Sequence, residues 1–359
     1  VTLLGRHGER RDAECSESRA DGTSPSGVDA SLRVGSHQAR DGTRAGRVRL
    51  DTDRPHAAVV VGKRGTGKSH TLGVLAEGVA AASGVTPVVL DTMGEFGGLA
   101  EPVSPRVRPT DLPARAWPAL VGLDRTSPAG ALVWDAVGAA ATLDEAVETL
   151  TDDTGGGVET GVRRVAAVHL RRALRWDVFD TDGHRPAVLV DRPGSVVVDC
   201  VDCPEPAANA VARVLARGCY EHCLAGDADR LPWLLFDEAH VRFDGVAGPA
   251  LDRLFTRGRS PGVSVVCATQ RPAALPATAV SQADLLVAHA LTSEADVSAL
   301  AAARPTYLGG DFRTRLPDER GVALVVDDTS EAAHTVRVRD RRTPHGGDTP
   351  RASETVGGG

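Results

Sequence analysis

The sequence predicts an α/β fold, a mostly parallel sheet sandwiched between two layers of helices, and three observations carry that reading. Val59-Val60-Val61 is a short apolar run that enters Gly62-Lys63-Arg64-Gly65-Thr66-Gly67-Lys68-Ser69, and apolar residues at helical spacing (Leu72, Leu75, Ala76, Val79) follow. After that helix the chain returns in a second apolar run, Val85 to Leu90, ending at Asp91. A strand–helix–strand order of this kind implies a right-handed parallel crossover, with ligands bound at the carboxyl ends of the strands. The third observation is a later apolar run, Leu231 to Phe236, which ends in Asp237-Glu238.

The spacing of Gly62, Gly67, Lys68 and Ser69 fits a phosphate-binding loop. Glycines let the backbone turn tightly and bring several N–H groups onto one anion, and the helix that follows opens with unpaired N–H groups and a positive dipole end. The chain has only two lysines, Lys63 and Lys68, so at its own residue frequencies a chance match is expected about 0.003 times. Gly62, Lys63, Arg64, Gly65, Thr66, Gly67, Lys68, Ser69 and His70 form the candidate nucleotide-binding set. Lys68 neutralises the β- and γ-phosphates, and the Ser69 hydroxyl reaches Mg²⁺.

Composition sets the outer bounds. The chain has 359 residues, 42% of them hydrophobic, which is ample for a globular core. No apolar run reaches the roughly 18–20 residues that cross a membrane and no secretory signal stands out, so a cytoplasmic protein is expected. There is no isoleucine, one asparagine and one methionine, and the net charge is −7. That pattern fits a GC-rich genome and a salt-adapted, halophilic source, and it argues against indiscriminate coating of nucleic acid. Cys200, Cys203, Cys219 and Cys223 have the spacing of a zinc site. A helix of about 16 residues between the pairs is about 24 Å long, which separates them, so ordinary thiols are expected.

In chain order, residues 1–47 read as a polar N-terminal segment, with a strand at Val1–Gly5 and a loop or disordered stretch over 6–46. The core spans 48–339 and a disordered tail spans 340–359. Val48–Leu50 and Ala57–Val61 are strands. His56, just before the latter, is a strand-edge histidine or a neighbour of the nucleotide base. In the loop after Asp91, Phe96 is either a contact to a polymer or a core anchor. A short strand near Val103–Val107 precedes a helical insertion at about 131–180. There Arg164, Arg171 and Arg175 share one helix face, solvated or turned to DNA. Val188–Val190 and Ser195–Val201 are read as strands and Ala207–Cys223 as a helix. At the end of the next strand Asp237 holds the Mg²⁺ shell and Glu238 deprotonates the attacking water. Helix Ala250–Arg257 leads to strand Val263–Ala268 and then to Gln270, placed to touch the γ-phosphate. Asp284–Ala290, Val322–Val326 and His334–Val338 are strands, and Asp296–Ala303 is a helix.

Taken together, Gly62–Ser69, Phe236-Asp237-Glu238-Ala239-His240 and Ala268-Thr269-Gln270-Arg271-Pro272, with Gly258-Arg259-Ser260 before the last and Ser281-Gln282-Ala283-Asp284-Leu285-Leu286 after it, resemble the HerA/FtsK superfamily of ring ATPases, most of all archaeal HerA-like ATP-binding proteins. The resemblance implies a RecA-like αβα core, Mg²⁺-dependent ATP hydrolysis, a hexameric ring acting on double-stranded DNA as a translocase or helicase, and a nuclease partner. It also implies an arginine from one subunit completing its neighbour's site, with Arg259 the first candidate and Arg257 the second. Against the family pattern, polar residues stand here where an N-terminal β-barrel would precede the core. An ATP-gated assembly protein with slow hydrolysis and no DNA role is the alternative reading.

Overall fold

The computed structural model describes residues 1–6, 30–39, 41–152, 159–303, 312–344 and 346. Among the described residues, eleven strands form one sheet. In chain order they are β1 (Thr2–Leu4), β2 (Ser31–Gln38), β3 (Arg44–Asp51), β4 (Ala57–Val61), β5 (Val85–Asp91), β6 (Val196–Asp199), β7 (Leu231–Phe236), β8 (Ser264–Thr269), β9 (Leu285–Ala288), β10 (Val322–Asp327) and β11 (Ala332–Val338). Their spatial order is β1-β3-β2-β11-β10-β9-β4-β8-β7-β5-β6. The six strands from β9 to β6 run parallel, and β4 lies at their heart with every residue buried. A strand covered on both faces reads as an unbroken apolar run, which is why these were legible. Alternate residues feed two cores: Val59 and Val61 point to one, Ala58 and Val60 to the other.

Helix α1 (Lys68–Ala80) covers the second face through Leu72, Leu75, Ala76 and Val79. The insertion opens with α2 (Trp117–Leu120) and continues through α3 (Pro128–Ala139), α4 (Leu143–Thr151) and α5 (Thr160–Leu174), which pack on one another. Its ends are capped: Ser127 accepts from Gly130 N at 3.1 Å, and Thr142 and Glu145 form a reciprocal capping box. Trp117 is fully buried against Phe179, with ring centroids 4.8 Å apart. Arg164, Arg171 and Arg175 lie exposed on the outer side of α5.

Four expectations are corrected. Much of 31–46 is not loop: β2 and β3, the latter containing the expected strand Val48–Leu50, pair as a hairpin and join the main sheet through β11. Leu32, Val34, Val48 and Leu50 bury one face, and Leu32 packs so tightly on α1 that a Cβ at Gly78 would lie 2.6 Å from its own. Charged residues such as Arg33 and Arg49 on the other face hid the alternation. Val188–Val190 is not a strand but part of α6 (Pro186–Val190); Pro186 sits in the first turn, where its fixed φ favours a helix start. The stretch Val103–Val107 makes only isolated bridges, Val103 to Val198 and Val107 to Phe179, because Pro102 and Pro105 interrupt a ladder. The start of the tail is ordered: buried Glu77 of α1 accepts from Arg342 N at 2.8 Å and Thr343 N at 2.9 Å, and pairs with Arg339 at 2.7 Å. Burial pushes the Glu77 carboxyl upward, but these hydrogen bonds and the Arg339 charge hold it below its ordinary value. Cys15 and the rest of the tail lie outside the described residues.

The chain then runs through α7 (Glu205–Ala225), α8 (Ala239–Phe243), α9 (Gly248–Arg257), α10 (Ala277–Ser281), α11 (Glu294–Ala303) and α12 (Phe312–Arg315). Helix α7 lays Val211, Val214, Leu215 and Cys219 on the first core. Among the described residues no helix is long and apolar enough to cross a membrane.

Candidate nucleotide site

The carboxyl ends of β4, β5, β7 and β8 open into one cleft of about 1600 Å³. Its floor is the loop between β4 and α1. Gly65 and Gly67 have φ of 79° and 119°, a region open to glycine and strained for other residues. Thr66 Oγ1 donates to Lys63 O at 2.8 Å, and Lys63 N donates to Ala290 O at 2.8 Å, so the loop is tied to itself and to the end of β9. Lys68 is buried and its Nζ lies 3.4 Å from Lys63 O, curled under the loop it would share with an anion. Lys63 and Arg64 are exposed, and Arg64, Gly65, Gly67, Lys68, Ser69 and His70 line the cleft. Gly62 lies beneath, where a Cβ would meet Thr66 Oγ1 at 2.6 Å and His289 Cβ at 2.7 Å.

Asp237 directly follows β7, and Ser69 stands across the cleft from its carboxylate, close enough to act on its titration. Burial raises the Asp237 pKa, against the Ser69 contact and the Glu238 N–H, which donates to Oδ1 at 2.8 Å. Glu238 has φ 46°, left-handed for a non-glycine residue, a strain that belongs to functional sites. Its Oε2 is buried without a hydrogen-bond partner, and burial together with the Asp237 charge raises its pKa. The Gln270 backbone N–H approaches the Glu238 carboxylate, and Gln270 lines the same cleft.

Three residues that sequence reasoning did not assign complete the surroundings. Glu95 is aimed into the cleft because Asp91 accepts from the N–H groups of Met93, Gly94, Glu95 and Phe96 at 2.8–3.2 Å. Phe96 is fully buried under Arg341 and is a core anchor. His240 joins two motifs: its Nδ1 is 3.0 Å from Thr269 Oγ1 and 3.4 Å from Glu238 Oε2. Burial, then Arg271 and Arg242, lower its pKa, which favours the neutral ring.

His289 is the third. It is fully buried beneath the phosphate loop, its Nδ1 donates to Val322 O at 2.9 Å, and its Nε2 meets Thr71 Oγ1 at 2.9 Å. Burial pushes its pKa down from 6.5 to about 4. The unfolded chain therefore takes up this proton at a higher pH than the folded one, and stability should fall as pH drops from about 6.5 to about 4. Urea unfolding of His289→Gln at stepped pH should show a flatter curve over that interval. An unchanged slope would assign the loss to other groups.

Three placements bear on the remaining candidates. His56 lies at the amino ends of the strands, bonded to Asp284 at 2.6 Å and to Asp51 O at 3.0 Å; it is a strand-edge residue on the far side of the sheet from the cleft. Arg259 is on that side too, 42% exposed and 4.0 Å from Asp284. Arg257 is exposed at the end of α9. Neither arginine lines this chain's own cleft. Cys200 and Cys203 precede α7, whereas Cys219 and Cys223 lie in its carboxyl-terminal part, about 20 Å further along the helix axis. Among the described residues no cluster of three or more His, Cys, Asp or Glu side chains suits a metal ion.

A phosphate loop after β4 facing Ser69, Asp237 and a second, orphaned acid after β7, with β8 between the two strands, defines the P-loop nucleoside-triphosphate hydrolase class. Residues 32–120 match the family model "Helicase HerA, central domain" and residues 215–312 match "Helicase HerA-like C-terminal". The chain belongs to the HerA/FtsK superfamily and is an ATPase. The first match begins inside β2, so the hairpin is part of the family core. Solved structures share the RecA-like fold. VirB4 of Thermoanaerobacter pseudethanolicus aligns with TM-score 0.63 at 17% identity over 87% of this chain and 97% of that one. The bacterial conjugative coupling protein TrwB aligns with TM-score 0.56 at 15% identity over 88% and 96%. TrwB bound to a non-hydrolysable GTP analogue aligns with TM-score 0.55 at 16% identity over 81% and 88%. No curated protein sequence matches the chain significantly.

Proposed function

We propose that this chain is the subunit of a ring-shaped motor that hydrolyses Mg²⁺-ATP to move on duplex DNA. One observation carries the oligomeric part: the cleft supplies the phosphate loop and acids, while Arg257 and Arg259 stand outside it, on or near the opposite edge of the sheet. A second copy can bring such an arginine to the open cleft. The DNA part rests on membership of the family.

The donor set fits a magnesium nucleotide. A serine hydroxyl and a buried carboxylate form the hard-oxygen pair that Mg²⁺ takes alongside phosphate oxygens, and the bare loop at Gly65 leaves room for an anion, since a Cβ there would meet nothing within 4 Å. Ser69 and Asp237 would hold the ion, which supplies charge neutralisation at the phosphates. Lys68 and the loop N–H groups bind and orient the triphosphate. Glu238 Oε2 takes the proton of the attacking water, and Gln270 orients that water or the γ-phosphate. The neighbour's Arg259 stabilises charge on the transferred group, with Arg257 the second candidate.

The test is ATP turnover at several salt concentrations, up to molar KCl, with and without linear duplex DNA. Strong stimulation by DNA is expected. Nucleotide binding with slow turnover indifferent to DNA would replace the motor by an ATP-gated assembly protein. Arg259→Ala should keep ATP affinity and lose about 10³–10⁵ in turnover. Mixing it with Lys68→Ala subunits should restore part of the activity, because each variant supplies what the other lacks. If no mixture recovers turnover, Arg259 does not act across a subunit boundary.

A further inference from the structure

Cys200 and Cys203 have no part in the nucleotide chemistry, yet they are placed for chemistry of their own. The chain turns sharply between them: Cys203 N donates to Cys200 O at 3.1 Å, and Asp199 Oδ1 accepts from Val201 N at 3.1 Å. A turn closed by that i to i+3 bond keeps the two Cα atoms within about 7 Å, the range a disulfide bridges. The side chains lie close enough for each thiol to shift the other's titration. Their exposures differ. Cys200 ends β6 at 1% exposure, whereas Cys203 is half-buried, just ahead of the first turn of α7.

We propose that Cys200 and Cys203 form a dithiol site that undergoes exchange with low-molecular-weight disulfides. The Cys203 thiolate attacks one sulfur of the disulfide RSSR, forming a Cys203–SR bond and expelling RS⁻, which takes the proton Cys203 gave up. Cys200 then loses its proton, attacks the Cys203 sulfur and expels the second RS⁻, which that proton neutralises. The protein dithiol is oxidised to one Cys200–Cys203 bond and RSSR is reduced to two RSH. The environment assigns the order of attack. Interaction with the neighbouring Cys200 thiol holds the Cys203 thiol below its ordinary pKa, while the same interaction and burial drive Cys200 up. The more acidic, more accessible thiol attacks first, and the buried one resolves.

The site also borders the ATP cleft. Cys200 N donates to Asp91 O at 2.7 Å, and Asp91 shapes the loop that carries Glu95. The positive charge of Arg242, on the helix that follows Glu238, is felt at both thiols.

The experiment incubates the full chain with oxidised glutathione, quenches with acid, alkylates and maps tryptic peptides. Both cysteines fall in one peptide, so a bond between them makes it two hydrogens lighter and blocks both alkylations, and dithiothreitol should reverse the change. Cys200→Ser should stop at a stable glutathione adduct on Cys203. Cys203→Ser should slow modification of Cys200 by at least about tenfold. Full alkylation of both residues after glutathione treatment of the native protein would overturn the proposal. So would equal rates in the two serine variants, or a bond to Cys219 or Cys223 instead.

Discussion

Lys68→Ala is expected to lose ATP binding while keeping the fold. Lys68 is buried at the start of α1, and its ammonium touches only the Lys63 carbonyl in this structure. Removing one partner of a buried, hydrogen-bonded charge contact costs about 2–5 kcal/mol, or roughly 30- to 4000-fold in Kd. The fold should survive because α1 is anchored elsewhere, by Leu72, Leu75 and Val79 in the core and by Glu77 to the 339–343 segment. Isothermal titration with ATP, alongside thermal unfolding without nucleotide, separates the two effects. Unchanged affinity would remove the phosphate-loop assignment, and a collapsed unfolding temperature would make Lys68 a structural residue.

What could be read from the sequence follows from how each part is buried. Strands covered on both faces, such as Ala57–Val61 and Leu231–Phe236, announce themselves as continuous apolar runs. The phosphate loop and the Asp-Glu pair were legible because their residue types have few other reasons to stand in that order. The β2–β3 hairpin was not, because only one of its faces is covered and Arg33, Arg44, Arg47 and Arg49 dilute the pattern. Val188–Val190 reads as a short apolar strand, but Pro186 starts a helical turn that contains it. His240 and His289 escaped for a different reason: each acts through a contact distant in sequence. His289 touches Thr71 and Val322, and nothing about a histidine after Leu-Leu-Val-Ala signals that it props up a loop more than 200 residues away. The dithiol lies between these cases. Its spacing was visible, but only the turn at residues 200–203 shows that the two thiols face each other rather than the pair on α7.

Glu238→Gln is expected to bind ATP normally and turn it over about 10²–10⁴ times more slowly, the usual range for losing a general base. The substitution keeps shape and removes only the capacity to accept a full proton. Three features single out this carboxylate over its neighbours. Asp237 is committed to Ser69 and to the Glu238 N–H. Glu95, whose Oε2 is likewise buried without a partner, sits on the loop held by Asp91 and not at a strand end. Glu238 Oε2 alone among the two strand-end acids is buried with no hydrogen-bond partner, a state that costs free energy unless a ligand or water fills it. Comparing ATP affinity with single-turnover hydrolysis in this variant separates binding from chemistry. Turnover within a few-fold of the native rate would move the base to Glu95, and Glu95→Gln would then show the loss instead. A variant that bound ATP weakly would make the Glu238 strain a structural requirement of the cleft and leave the identity of the base to be read from the Glu95 result.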